Sequence, residues 1–172
     1  MSALEQVRAL YEYNEWANNH VLDAAAKLTP EELARELGAS FGSIQGNLWH
    51  AVGAQALWLS RWQATPPPKI RQLQEGRALE MIREAYAASH HDLRCFVPSV
   101  NDEALSGAVS YVDTQGNGQH RVLWQTMLHV ANHGTHHRAE TALLLTSLGR
   151  PPRQLDYVFF ELERAGGAPR LT

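Results

Sequence analysis

The sequence predicts an all-α fold built as a four-helix bundle, and three observations carry that prediction. Four segments of roughly 20 to 28 residues repeat apolar side chains at alternating three- and four-residue steps. Proline or glycine punctuates the segment ends, and the middle connections are long. With 172 residues, 44% of them apolar and 19% charged, the chain fits one compact domain, residues 1–172, with a genuine core.

The first segment, 3–28, places Val7, Leu10, Asn14, Ala17, Val21, Ala24 and Leu28 on one stripe. It stops at Leu28-Thr29-Pro30, where Pro30 opens the short helical stretch PEELAREL. Ser43 reads as the N-cap of a second long helix reaching Trp62, with Ile44, Leu48, Ala51, Gln55, Trp58 and Trp62 on one face. TPPPK, residues 65–69, terminates it. A third helix over 76–97 carries Leu79, Ile82, Tyr86, Ser89, Leu93 and Phe96, and Pro98 ends it. Between 99 and 120 helical patterning lapses. There AVSYV, a DTQGNG turn and QHRVL predict a short hairpin, because the glycines supply positive φ. The fourth long helix, 121–148, closes at Leu148-Gly149 before Pro151 and Pro152. LDYVFFELE follows as a final strand or helical turn packed on the rest.

Composition excludes several function classes. A net charge of −3 with scattered Lys and Arg offers no stripe for nucleic acid. No run of about eighteen apolar residues could span a bilayer, and the amphipathic, acid-containing N-terminus is unlike a secretory signal, so the expectation is a cytoplasmic protein. At this length folding removes roughly 70% of the unfolded surface from water, so any metal is expected to serve function rather than stability. Cys95, the single cysteine, excludes an intramolecular disulfide and a thiolate-rich zinc site; flanked by Leu93, Phe96 and Val97, it reads as a small buried hydrophobe. The five tryptophans, Trp16, Trp49, Trp58, Trp62 and Trp124, read first as core, with Trp58 or Trp62 as candidate walls of a substrate cavity.

The chemistry gathers in the fourth helix. Leu123, Met127, Val130, Gly134, His137, Thr141, Leu144 and Leu148 form its expected seam, and the small neighbours Gly134 and Thr141 predict free space around the His137 imidazole. At about 100° per residue His133 lies some 40° and one turn from His137, so the two rings can converge on one ion. His129 and His136 point some 100° or more away and read as bystanders or outlying supports. A third ligand must come from another helix, among His20, His50, His90, His91 and His120. His50 sits in the most apolar surroundings, beside Ala51, Gly53 and Ala54, where an unpartnered imidazole is costly. His90 and His91 read as marking the exposed side of the third helix, and His20 and His120 as lying near an end or a turn. Asn14 either reaches the site or satisfies a backbone carbonyl, the second role being preferred.

Three stretches, YNEWANNHVLDAAAKLTPEEL, FGSIQGNLWHAVGAQALWLSRW, and HVANHGTHHRAE with LGRPP, resemble the DinB family of metal-binding four-helix bundles along nearly the whole chain. The resemblance implies an up-down-down-up bundle, a homodimer, and a divalent ion held by His50, His133 and His137. Where the family often reads H-R-G-Q, this chain reads His137-Arg138-Ala139-Glu140, which puts a carboxylate at the edge of the site. Relatives of known chemistry imply thiol-dependent transfer or isomerisation.

Three neutral imidazoles leave Zn2+ or Ni2+ with open positions, the pattern of catalysis. The expectation is therefore a metal-dependent transferase or hydrolase acting on a small molecule, with a low-molecular-weight thiol as cosubstrate and Glu140 as a candidate catalytic residue that orients a ligand histidine or shuttles a proton. A solvated helix-end carboxylate is the plainer reading of Glu140. The competing class is a non-catalytic metal-binding or stress and DNA-damage-response protein.

Overall fold

The computed structural model describes residues 2–69, 73–74 and 76–166. The chain is mostly helical: α1 (Ala3–Ala25), α2 (Pro30–Ala34), α3 (Ile44–Trp62), α4 (Ala78–Ser99), α5 (Asp102–Ser106), α6 (Leu123–Ser147) and α7 (Tyr157–Arg164), with one hairpin, β1 (Ala108–Val112) and β2 (Gly118–Val122). The four long helices pack on one another, α6 against α1 and α3, and α4 against α3 and α1. Among the described residues no helix is long and apolar enough to cross a membrane.

Local chemistry sets the boundaries. Ser2 and Glu5 close a capping box on α1, and Thr29 and Glu32 another on α2, where Pro30 occupies the first turn. Ser43 caps α3 by accepting from the Gly46 N–H. Helix α1 ends at Ala25, three residues short of expectation, because Lys27 and Leu28 bond back to Ala24 and Ala25 in tight three-residue turns; Leu28 stays buried all the same. Helix α4 runs to Ser99 with Pro98 in its last turn, past the proline expected to end it. The hairpin pairs Ala108 with Val122 and feeds directly into α6, whose first amide, Leu123, donates to the Gly107 carbonyl. Residues 121 and 122, expected to open the fourth helix, therefore belong to β2.

The core has two large apolar clusters and a smaller one of Tyr13, Ala17 and Phe160. One large cluster gathers Val21, Ile44, Leu48, Ile82 and Leu145; the other gathers Val7, Tyr11, Leu59, Leu93, Val97 and Met127. Between them a polar layer crosses all four long helices. Gln55 donates to Ser89 and accepts from Asn14, while Asn14 and Asn18 accept from Arg138, and Asn18 faces the ring of His90. Asn14 thus serves neighbouring side chains rather than a backbone carbonyl.

Three expectations need correction. His90, read as exposed, is only 3% exposed and sits in this layer, because it follows Ser89 on the inward side of α4. Cys95, read as buried, is exposed: two positions from Leu93 on a helix is about 200°, so its apolar sequence neighbours face the core and it does not. Trp124 is 40% exposed, for it lies one step of about 100° outside the seam residue Leu123.

Burial of His90 has a pH consequence. Desolvation, then the nearby Arg94 and Arg138 charges, push its imidazole down to about 4, with Glu15 4.0 Å away and the Tyr86 ring alongside. The unfolded chain takes up this proton near pH 6.5 and the native protein only near 4, so stability is whole above about 6.5 and is lost as pH falls toward 4, by about 3 kcal/mol from this residue alone. Chemical denaturation from pH 7 to 4 should show that slope added to those of the other desolvated histidines, and His90→Gln should reduce it by this residue's share.

Candidate metal centre

His133 and His137, one turn apart on α6, face His50 across from α3. The Nε2 atom of His133 lies 3.4 Å from that of His50 and 3.2 Å from that of His137. Each residue offers a ligand nitrogen within 4.8 Å of the other two, and among the described residues no further His, Cys, Asp or Glu joins the group.

Asn47, one turn before His50, settles the tautomer of His137. Its Nδ2 donates to the His137 carbonyl (3.1 Å) and to Thr141 Oγ1 (2.9 Å), so its carbonyl oxygen must be the atom 2.7 Å from His137 Nδ1. That nitrogen carries the proton. His137 Nε2 is therefore a bare lone pair aimed at the centre, the orientation an amide partner gives to a metal-bound imidazole.

Protonation agrees. Burial, then the fields of His137 and His50, push His133 down to about 4; burial lowers His50 and His137 as well, although Glu140 partly opposes this at His137. All three rings are neutral near neutral pH, the form that ligates. Two nitrogens each about 2.05 Å from a tetrahedral ion stand about 3.3 Å apart, which matches the two observed separations. The residues fit a divalent cation and can hold one.

A turn closed by Gly42, whose φ of 75° suits glycine, delivers Phe41 onto the centre. The Phe41 ring stacks on His50 at 3.6 Å and 14°, while remaining 42% exposed. Glu140 holds that loop: one carboxylate oxygen accepts from both the amide (2.7 Å) and the hydroxyl (2.9 Å) of Ser40, and the other lies 3.9 Å from His137 Nδ1. It is a bonded carboxylate rather than a freely solvated one.

The remaining histidines fall outside the group. His129 is exposed, its ring 5.8 Å from His133 and 5.3 Å from Trp58. His136 and His91 are exposed, His120 bonds Ser110 across the hairpin, and His20 packs edge-on against Trp16. The space expected beside Gly134 is filled: a Cβ there would lie 2.9 Å from both Arg138 Nη1 and Asn14 Oδ1.

These features set the comparison with known proteins. Residues 1–169 match the DinB family. The chain belongs to that family. It is 22% identical over 155 residues to protein DinB of Bacillus subtilis (strain 168), covering 86% of this chain and 89% of that one. It also shares its fold with a conserved protein of Enterococcus faecalis solved by crystallography, at a TM-score of 0.63 and 13% identity over 80% of this chain and 94% of that one.

Asn47, Phe41 and Arg138 were not singled out from the sequence as parts of the site. Asn47 did leave a signal, a lone amide within the apolar run NLWHAV. Asn47→Ala should lower ion affinity about 10- to 100-fold while keeping one ion per chain at saturation, as competition with a chromogenic chelator would measure.

Proposed function

We propose that this DinB-family protein is a metal-dependent transferase or hydrolase acting on a small molecule, with a low-molecular-weight thiol as cosubstrate. His50, His133 and His137 are its ligands to one divalent ion, Zn2+ or Ni2+. The supporting observation is the convergence of three neutral imidazoles with no fourth protein ligand among the described residues, which leaves room for an exchangeable partner. The reading includes a cytoplasmic homodimer whose long helices run up-down-down-up.

When bound, the ion supplies Lewis acidity that makes a water or thiol a nucleophile near neutral pH. The chain does the rest. Asn47 fixes the ring of His137, and Phe41 covers one side of His50 and keeps water from it. Glu140 ties the Phe41 loop to α6 through Ser40 and stands 3.9 Å from His137 Nδ1, the ring nitrogen turned away from the ion, where it helps orient that imidazole.

Protein purified without a histidine tag should carry one divalent ion per chain, and the loaded form should turn over members of a panel of thiols with electrophiles while the chelated form does not. One ion with no turnover on any pair would favour the non-catalytic metal-binding reading.

A further inference from the structure

Arg61 shares the face of α3 that carries His50. Eleven residues at 100° each bring it to within about 20° of the same direction, about 16 Å farther along the axis. Helical side chains lean toward the N-terminus, here back toward the centre. The Arg61 guanidinium does so: its carbon lies 4.6 Å above the Trp58 ring, which precedes it, and 4.6 Å from the Tyr111 ring of β1. From there Trp58 meets His129 at 5.3 Å and His129 meets His133 at 5.8 Å, so a wall of rings connects the guanidinium to the three histidines. Gly53, one turn beyond His50, is exposed with open space where a side chain would begin.

The guanidinium is held in place by its neighbours. One Nη2 bond to the Val112 carbonyl, at 3.2 Å, and the two aromatic faces set its plane. Among the described residues no carboxylate bridges to it, whereas Arg77, Arg83, Arg94, Arg153 and Arg164 each meet one. A planar fork held in advance between two rings loses little freedom on meeting a planar anion, and the apolar walls strengthen the attraction.

We infer that Arg61, framed by Trp58 and Tyr111, binds an anionic group of the substrate or cosubstrate, a carboxylate or a phosphate, whose far end reaches the three-histidine centre, less than about 16 Å back along α3. This specifies the ligand class of the proposed site and rests on that reading.

The test uses tag-free, cobalt(II)-loaded protein titrated with mercaptooctanoate and with mercaptooctanol, which differ only at the distal group, and reads the sulfur-to-cobalt absorption band. The acid should bind about tenfold more tightly at low salt, and less so as salt rises. The short mercaptopropanoate should show no such advantage over mercaptopropanol. Arg61→Gln should erase the preference with cobalt content unchanged, and Arg61→Lys should keep part of it. Equal affinities in the wild type, a preference that survives Arg61→Gln, or no band from either thiol on cobalt-loaded protein would overturn the assignment. Failure of the wild type to take up cobalt would overturn the three-histidine centre itself, a separate readout.

Discussion

His50→Ala and His133→Ala, purified without a tag, should lose their divalent ion, while His129→Ala should retain it. The contrast follows from geometry: His50 and His133 Nε2 atoms stand 3.4 Å apart at the centre, whereas His129 points toward Trp58. Removing one of three ligands should cost about 3 kcal/mol or more, a hundredfold or greater loss of affinity, enough to strip the ion during purification. His129→Ala removes only an exposed imidazole and should change affinity less than threefold, by roughly 0.6 kcal/mol. Elemental analysis of the three variants decides the matter; equal ion content in all three would refute the assignment. Proton competition gives a second readout. Because burial holds all three rings below the ordinary histidine value, the ion should survive acidification into the ordinary histidine range and leave below it.

The parts of the fold legible in the sequence were those with periodicity behind them. The stripe Val7, Asn14, Ala17, Val21, Ala24 is buried as its spacing requires, and the DTQGNG turn sits between two paired strands. His133 and His137 could be brought together from helical arithmetic alone, because one turn leaves little freedom. The third partner needed another argument, the cost of an unpartnered imidazole in an apolar run, and it selected His50 from five candidates. What escaped was long-range polar pairing. Nothing in the spacing of Arg138 says that a guanidinium next to His137 turns inward to Asn14 and Asn18, some 120 positions earlier in the chain. The same gap misplaced His90, whose burial depends on Asn18 waiting on α1. Gly134 illustrates it from the other side: its missing side chain was read as space for a pocket, and that space belongs to Arg138.

Arg138→Met should be among the most destabilising single changes in the chain. The side chain is 5% exposed and spans the boundary between the two large apolar clusters, donating to Asn14 and Asn18 through Nη1 and to Thr135 through Nη2, with the Tyr13 ring 5.4 Å from its carbon. No carboxylate shares its charge among the described residues, so burial pulls its pKa below the ordinary arginine value, and neutral oxygens carry the whole compensation. Methionine fills much of the volume but leaves the Asn14 and Asn18 oxygens buried without a donor, each at roughly 1–3 kcal/mol. The expected loss is about 3 kcal/mol, or roughly 6–12 °C in Tm for a chain of this size. Arg94→Met is the matched control, since that guanidinium is 57% exposed beside Glu15 and should cost under about 1 kcal/mol. Lysine at 138 keeps the charge but lacks the planar fork that serves two helices at once, so it should fall between the two. Gly134→Ala tests the same layer without touching a charge: its Cβ would press on both Arg138 and Asn14, and its cost should shrink when Arg138 is already methionine. Additive losses in that double variant, measured by urea denaturation, would show that the glycine makes room for something other than this arginine.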